Sequence, residues 1–225
     1  PNYLKNNVNH QDMNMIFKIA KTELQTLFYS PVAWLILIVF TFQASILFTG
    51  TFGMSVRSQA LEYEVGNLTL FTFGGDYGLF THIQQYLYLY IPLLTMGLMS
   101  RELSSGSIKL LYSSPVTNKE IVLGKYFAML VYGLVLIGIL AIYVLYSACT
   151  IKAFDFTVAL SGLLGLYLLI CAYASIGLFM SSLTSYQVVS AMGTLAILAA
   201  LSLVRGMWQD IEFVRDITYW LSING

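Results

Sequence analysis

Five stretches of the chain are predominantly apolar: Val32–Gly50, Ile83–Ser100, Tyr126–Cys149, Val158–Ser181 and Val188–Val204. Each is roughly 17 to 24 residues long, enough to carry an α-helix across ~30 Å of hydrocarbon. None contains Asp, Glu, Lys or Arg. One basic residue at the centre of an inserted helix costs ~2.5–3.5 kcal/mol, so this emptiness is what lipid demands. Long helices buried in a water-soluble core usually keep a polar face, and these do not. The pattern predicts an all-α polytopic membrane protein of about five spans. These lie in one transmembrane domain over 15–225, preceded by a polar tail over 1–14. Since the chain opens at Pro1, Met13 or Met15 is the expected natural start, with the Asn-rich stretch upstream of it.

Between the spans the periodicity predicts further elements. Ile16, Ala20, Leu24, Leu27 and Phe28 recur at helical spacing while Lys18, Lys21 and Gln25 fall on other faces, which predicts an N-terminal interfacial helix. Ser30-Pro31 then turns the chain into the bilayer. Thr51–His82 is the one long connector on the opposite side and is expected to be partly folded. Its Asn67-Leu68-Thr69 fits a glycosylation sequon, a pattern too short to carry weight. Gln84, Gln85, Tyr86, Tyr88 and Tyr90 are expected to form an aromatic belt at the outer part of the second span. Beyond the fifth span, Met207, Ile211, Val214 and Leu221 share a face of an amphipathic segment.

Composition agrees with this picture. The chain is 58% hydrophobic and 10% charged, with mean hydropathy +0.75. Formal net charge is zero, so no bulk field draws the protein to nucleic acid. Basic residues sort by side. Lys5, Lys18, Lys21, Arg101, Lys109, Lys119 and Lys125, seven of the eleven, share the side of the N-terminus, which places that side in the cytoplasm. Cys149 and Cys171 are expected to be small apolar residues rather than a disulfide framework.

The segment Arg101–Lys125 is chemically the most legible. It reads as helix, turn, helix. Pro115 disfavours the α conformation at Ser114 and is expected to end the first helix near Tyr112 or Ser113. Thr117-Asn-Lys-Glu120 is a capping box that starts the second, from which the third span grows. Ile108, Leu110, Leu111 and Tyr112 give the loop more apolar surface than a connector needs, for docking a partner or for dipping into headgroups.

In these residues the chain resembles the permease subunits of type-2 ABC exporters. The resemblance runs from Lys21-Thr22-Glu23-Leu24 and Ser30-Pro31, through Pro92-Leu-Leu-Thr95-Met96, to Glu102, Gly106-Ser107, Leu110-Leu111, Ser114-Pro115-Val116 and Glu120-Ile-Val-Leu-Gly124-Lys125. It looks most like the gliding-motility type. The resemblance implies that the loop is a cytoplasmic coupling helix seated in a groove of a separate ABC ATPase subunit, with the N-terminal helix as a second contact. Glu23, Glu102, Gly106, Ser114, Pro115, Glu120, Gly124 and Lys125 would belong to that transmission surface. It further implies a second permease copy or paralogue, a bacterial cytoplasmic (inner) membrane, and ATP and Mg held by the partner ATPase. Ser107 stands where threonine is more usual, and the family's sixth span is missing from the sequence.

The chain carries no cofactor chemistry of its own. Gly124-Lys125 is no phosphate loop, because the partner glycine would fall at Lys119. His10 and His82 are expected on opposite sides of the membrane, and no cluster has metal-ligand spacing. The spans hold no carboxylate, histidine or lysine, which argues against an intramembrane enzyme and against an ion-coupled carrier. The expected function is an ATP-driven export permease that is not itself an enzyme. The alternative is a non-transporting membrane scaffold that recruits extracytoplasmic partners.

Overall fold

A computed structural model describes residues 2–61, 67–75, 77–107, 116–151 and 154–209. Eight helices fill them: α1 Asn2–Tyr29, α2 Pro31–Ala60, α3 Leu68–Phe73, α4 Leu79–Thr95, α5 Ser100–Ser105, α6 Asn118–Thr150, α7 Phe156–Leu183 and α8 Gln187–Gln209. No strand occurs among the described residues.

Four of these helices, α2, α6, α7 and α8, are long and apolar enough to cross a membrane. The expected second span differs. Instead of running unbroken over 83–100, α4 starts at Leu79 and stops at Thr95 after 17 residues, the short end of the spanning range. Pro92 lies inside it, residues 96–99 form a turn, and α5 begins at Ser100. Pro92 has no N–H, so the ladder lacks its bond to the Tyr88 carbonyl within the last turns of α4. The first span goes the other way: α2 has 30 residues and continues ten past Gly50. At 1.5 Å per residue it is about 45 Å long, so one end stands clear of the hydrocarbon.

The predicted turn at Ser30-Pro31 is present. Ser30 is extended (ψ 126°) and Pro31 opens α2. The indole N–H of Trp34 donates to the Phe28 carbonyl at 2.7 Å, closing the corner. The polar tail over 1–14 is helical from Asn2 and continuous with the helix expected after it. The apolar stripe of α1 is covered by protein. Leu27 is buried, Ile19, Leu24 and Phe28 pack onto the core, and Lys18, Lys21 and Gln25 point out. Its main neighbour is α6.

The core is built around α4 and α7. The first touches α2, α7 and α8, and the second touches α4, α6 and α8. Close approach depends on missing side chains at two places: a Cβ on Gly162 would sit 2.4 Å from Phe80, and one on Gly177 would sit 2.1 Å from the Thr95 hydroxyl. Tyr90, expected in an aromatic belt, is buried and donates to Gln43 Oε1 on α2. Outward faces carry large apolar side chains, among them Leu35, Ile38, Phe42, Leu134, Ile142 and Leu164.

At the α3 end, Asn67 accepts from the N–H groups of Thr69 and Leu70 and donates to Asp155 Oδ2 at 3.2 Å. Asp155 in turn caps α7 through Thr157 and Val158. Those amides, Val158 first, with the Asn67 amide, hold the Asp155 carboxyl below the usual carboxylate range. The sequon asparagine is therefore committed to two helix starts.

Candidate functional site

The end of the bundle that carries the α1–α2 corner also collects α5 and the start of α6, and it holds most of the residues singled out in the sequence. Here Thr117 and Glu120 form the predicted capping box. The Glu120 amide donates to the Thr117 hydroxyl at 3.4 Å, while Glu120 Oε2 accepts from the Thr117 amide at 2.6 Å and from its hydroxyl at 2.8 Å. With the start of α6 fixed this way, Ile121, Lys125, Ala128 and Tyr132 fall on one buried face. A lysine on that face needs partners.

It has two. Lys125, 1% exposed, donates to Glu23 Oε1 on α1 at 2.5 Å and to Glu102 Oε1 on α5 at 2.7 Å. Removing an ammonium from water costs several kcal/mol, and only well-placed counter-charges offset that. Glu23 and Glu102 keep 15% and 20% of their side chains exposed, so the cluster sits just inside the surface, with its cation innermost. Glu102 Oε2 is buried without a hydrogen bond. Fully ionised, the cluster has an excess of one negative charge.

Gly124, the neighbour of Lys125, lets α1 come this close. A Cβ there would lie 2.6 Å from Ile19 Cγ2 and 3.2 Å from the Ile16 carbonyl. Gly106 ends α5 in the left-handed region (φ 71°), a conformation suited to glycine. The first helix of the loop therefore stops at Ser105. Ser114 and Pro115, with Ile108, Leu110, Leu111 and Tyr112, lie outside the described residues, as does the terminal segment beyond Gln209. Of the eight site residues, then, Glu23, Glu102 and Lys125 meet directly, Gly124 and Glu120 set the helix that presents Lys125, and Gly106 caps α5.

One participant gave no sequence signal. Ser181, near the end of α7, accepts from the amides of Met99 at 3.0 Å and Ser100 at 3.1 Å, and donates to the Met96 carbonyl at 3.0 Å. It thereby ties the α4–α5 turn to α7. In the sequence it is one small polar residue at the edge of an apolar run.

No group of three or more His, Cys, Asp or Glu able to hold a metal occurs among the described residues, and Cys149 and Cys171 are both free. The site is ionic and structural. It joins an N-terminal helix, a short helix after the second apolar segment and the foot of the next long span. A family model described as ABC-2 family transporter protein matches residues 17–211, which include all three. The chain belongs to the ABC-2 transporter family. It is a multi-pass membrane component of an ABC transporter, and the match starts within α1 and closes just past α8. Neither a characterised protein nor a solved structure matches the chain. For this ABC-2 protein the ion cluster is thus a feature read from its own geometry.

Proposed function

We propose that this chain is the permease subunit of an ATP-driven exporter of the bacterial cytoplasmic membrane, worked by a separate ATPase that docks at the α1–α5–α6 end. The observation that carries the reading is the Glu23–Lys125–Glu102 cluster. A load applied to α1 or α5 is transmitted through Lys125 to α6, a single helix of 33 residues that reaches the far end of the bundle. Two carboxylates from different helices on one buried cation resist shear between those helices, because sliding either one leaves a charge unpaired.

The buried residues are then the frame, and the exposed ones at the same end make the contact. Ser104, Ser105 and Lys119 are exposed there. ATP and Mg belong to the partner, and a second permease copy or paralogue would complete the transport path. The gliding-motility type is the subtype favoured by the sequence resemblance.

The test is co-expression of the full chain with the ATPase encoded beside it. The ATPase should co-purify, and Lys119→Glu should weaken the complex about tenfold by removing and reversing a rim charge. Lack of any association by the wild-type chain would sink the proposal.

A further inference from the structure

A second feature of the same end has no part in this coupling frame. Between the α1–α2 corner, the C-terminal part of α4 and the start of α8 lies a cavity of about 210 Å³. Its polar lining is Ser30, Arg101 and Gln187, and its apolar lining includes Val32 and Leu93. Gly97 forms the wall beside Arg101.

The guanidinium is seated by that glycine. A Cβ on Gly97 would come within 3.3 Å of an Arg101 Nη, so the bare backbone makes the room in which the group lies. Arg101 Nε donates to the Gly97 carbonyl at 3.4 Å. Arginine has five N–H donors, and no carboxylate among the described residues lies within ion-pair distance of this one. The buried lysine at the same end, Lys125, is by contrast doubly paired. Beside the cavity, Ser30 makes no side-chain cap on α2, so the positive end of that helix is left to whatever enters.

Depth decides what kind of ligand this is. Tyr29 and Trp34 flank Ser30-Pro31 and are 87% and 53% exposed, the pairing of aromatic side chains with a span's start that marks a headgroup level. Val32 is also exposed, so the apolar side of the cavity is continuous with the lipid-facing surface of α2.

We propose that this cavity binds a phosphate group, held by Arg101 with Ser30 and Gln187, and that its source is the headgroup of an anionic membrane lipid whose acyl chains lie along Val32. A planar guanidinium with free donors is suited to phosphate oxygens, which it meets in pairs. The site tethers the α1–α2 corner to the leaflet, leaving the ion cluster to the partner side.

The experiment is native mass spectrometry of the full-length detergent-solubilised chain titrated with phosphatidylglycerol, with diacylglycerol lacking a phosphate, and with inorganic phosphate. Phosphatidylglycerol adducts should form at the lowest concentration. Arg101→Gln should raise the concentration needed about tenfold, Gly97→Leu should do the same by displacing the guanidinium, and Lys119→Gln should leave it unchanged. Gly97→Leu serves as the independent reading if Arg101→Gln does not fold. Equal phosphatidylglycerol retention by wild type and both site variants overturns the proposal, and so does diacylglycerol binding as well as phosphatidylglycerol. Inorganic phosphate binding that depends on Arg101, without lipid binding, overturns the lipid source. None of these outcomes depends on whether an ATPase associates.

Discussion

Lys125 is the residue on which the α1 end turns. Replacing it by methionine keeps the volume and strands two carboxylates that now face each other without a cation. Breaking a buried ion pair by removing one partner costs about 3–5 kcal/mol, and both glutamates retain some water, so a loss of about 3 kcal/mol is expected. Thermal melting in detergent would show it. Adding Glu23→Gln and Glu102→Gln to Lys125→Met should restore much of that loss, because no unpaired charge remains. A triple variant no more stable than Lys125→Met would mean the cluster is not coupled. Ser181 is a second residue with an expected cost. Its alanine variant leaves the amides of Met99 and Ser100 without their acceptor, for about 1–3 kcal/mol, and proteolysis should speed up at the α4–α5 turn first. Charged residues that meet across 102 and 23 positions of sequence could be named from the chain, but their contact could not. Neither hydrophobic pattern nor capping chemistry specifies which carboxylate a lysine finds.

At the level of elements, the boundaries that follow local chemistry were legible and those set by packing were not. Pro31 opens α2 and Thr117 with Glu120 opens α6, as the sequence predicts, because both depend on neighbours within three residues. The end of α5 at Gly106 depends on a left-handed glycine, while the helix end expected near Tyr112 or Ser113 lies outside the described residues. The α1–α6 contact rests on a similar detail. A methyl group at Gly124 meets Ile19 and the Ile16 carbonyl, so Gly124→Ala should push α1 outward at a cost of about 1–3 kcal/mol and weaken the ion cluster with it. At the other end, Asp155 ties α3 to α7 with a carboxyl whose folded pKa lies below its ordinary value. Its contribution is therefore fully present above the unfolded pKa of about 3.9 and is lost as pH falls through the lower folded value. The melting difference between wild type and Asp155→Asn should be constant near neutral pH and shrink in that acid window. A difference that grows on acidification would contradict the cap.

Across the whole molecule, lipid supplies the rule that made most of the fold readable. Backbone groups must be satisfied within a segment, so apolar runs without charge become helices. What lipid does not dictate is how long they are or how they stack. Hence α2 outruns its apolar core, and α4, expected as a full span, is a shorter helix gripped by α2, α7 and α8. The two ends differ in kind: one carries helix caps from Asn67 and the Asp155 carboxylate, the other a buried cation, two carboxylates and an exposed basic rim. Under the proposed function, that asymmetry directs the ATPase to the α1 end. Its most direct test is site-specific crosslinking with a chain in which Cys149 and Cys171 are replaced by serine and one cysteine is introduced at Lys119 or at Tyr77. With the ATPase co-expressed, Lys119→Cys should crosslink to it and Tyr77→Cys should not. Crosslinking from Tyr77→Cys and none from Lys119→Cys would contradict the account.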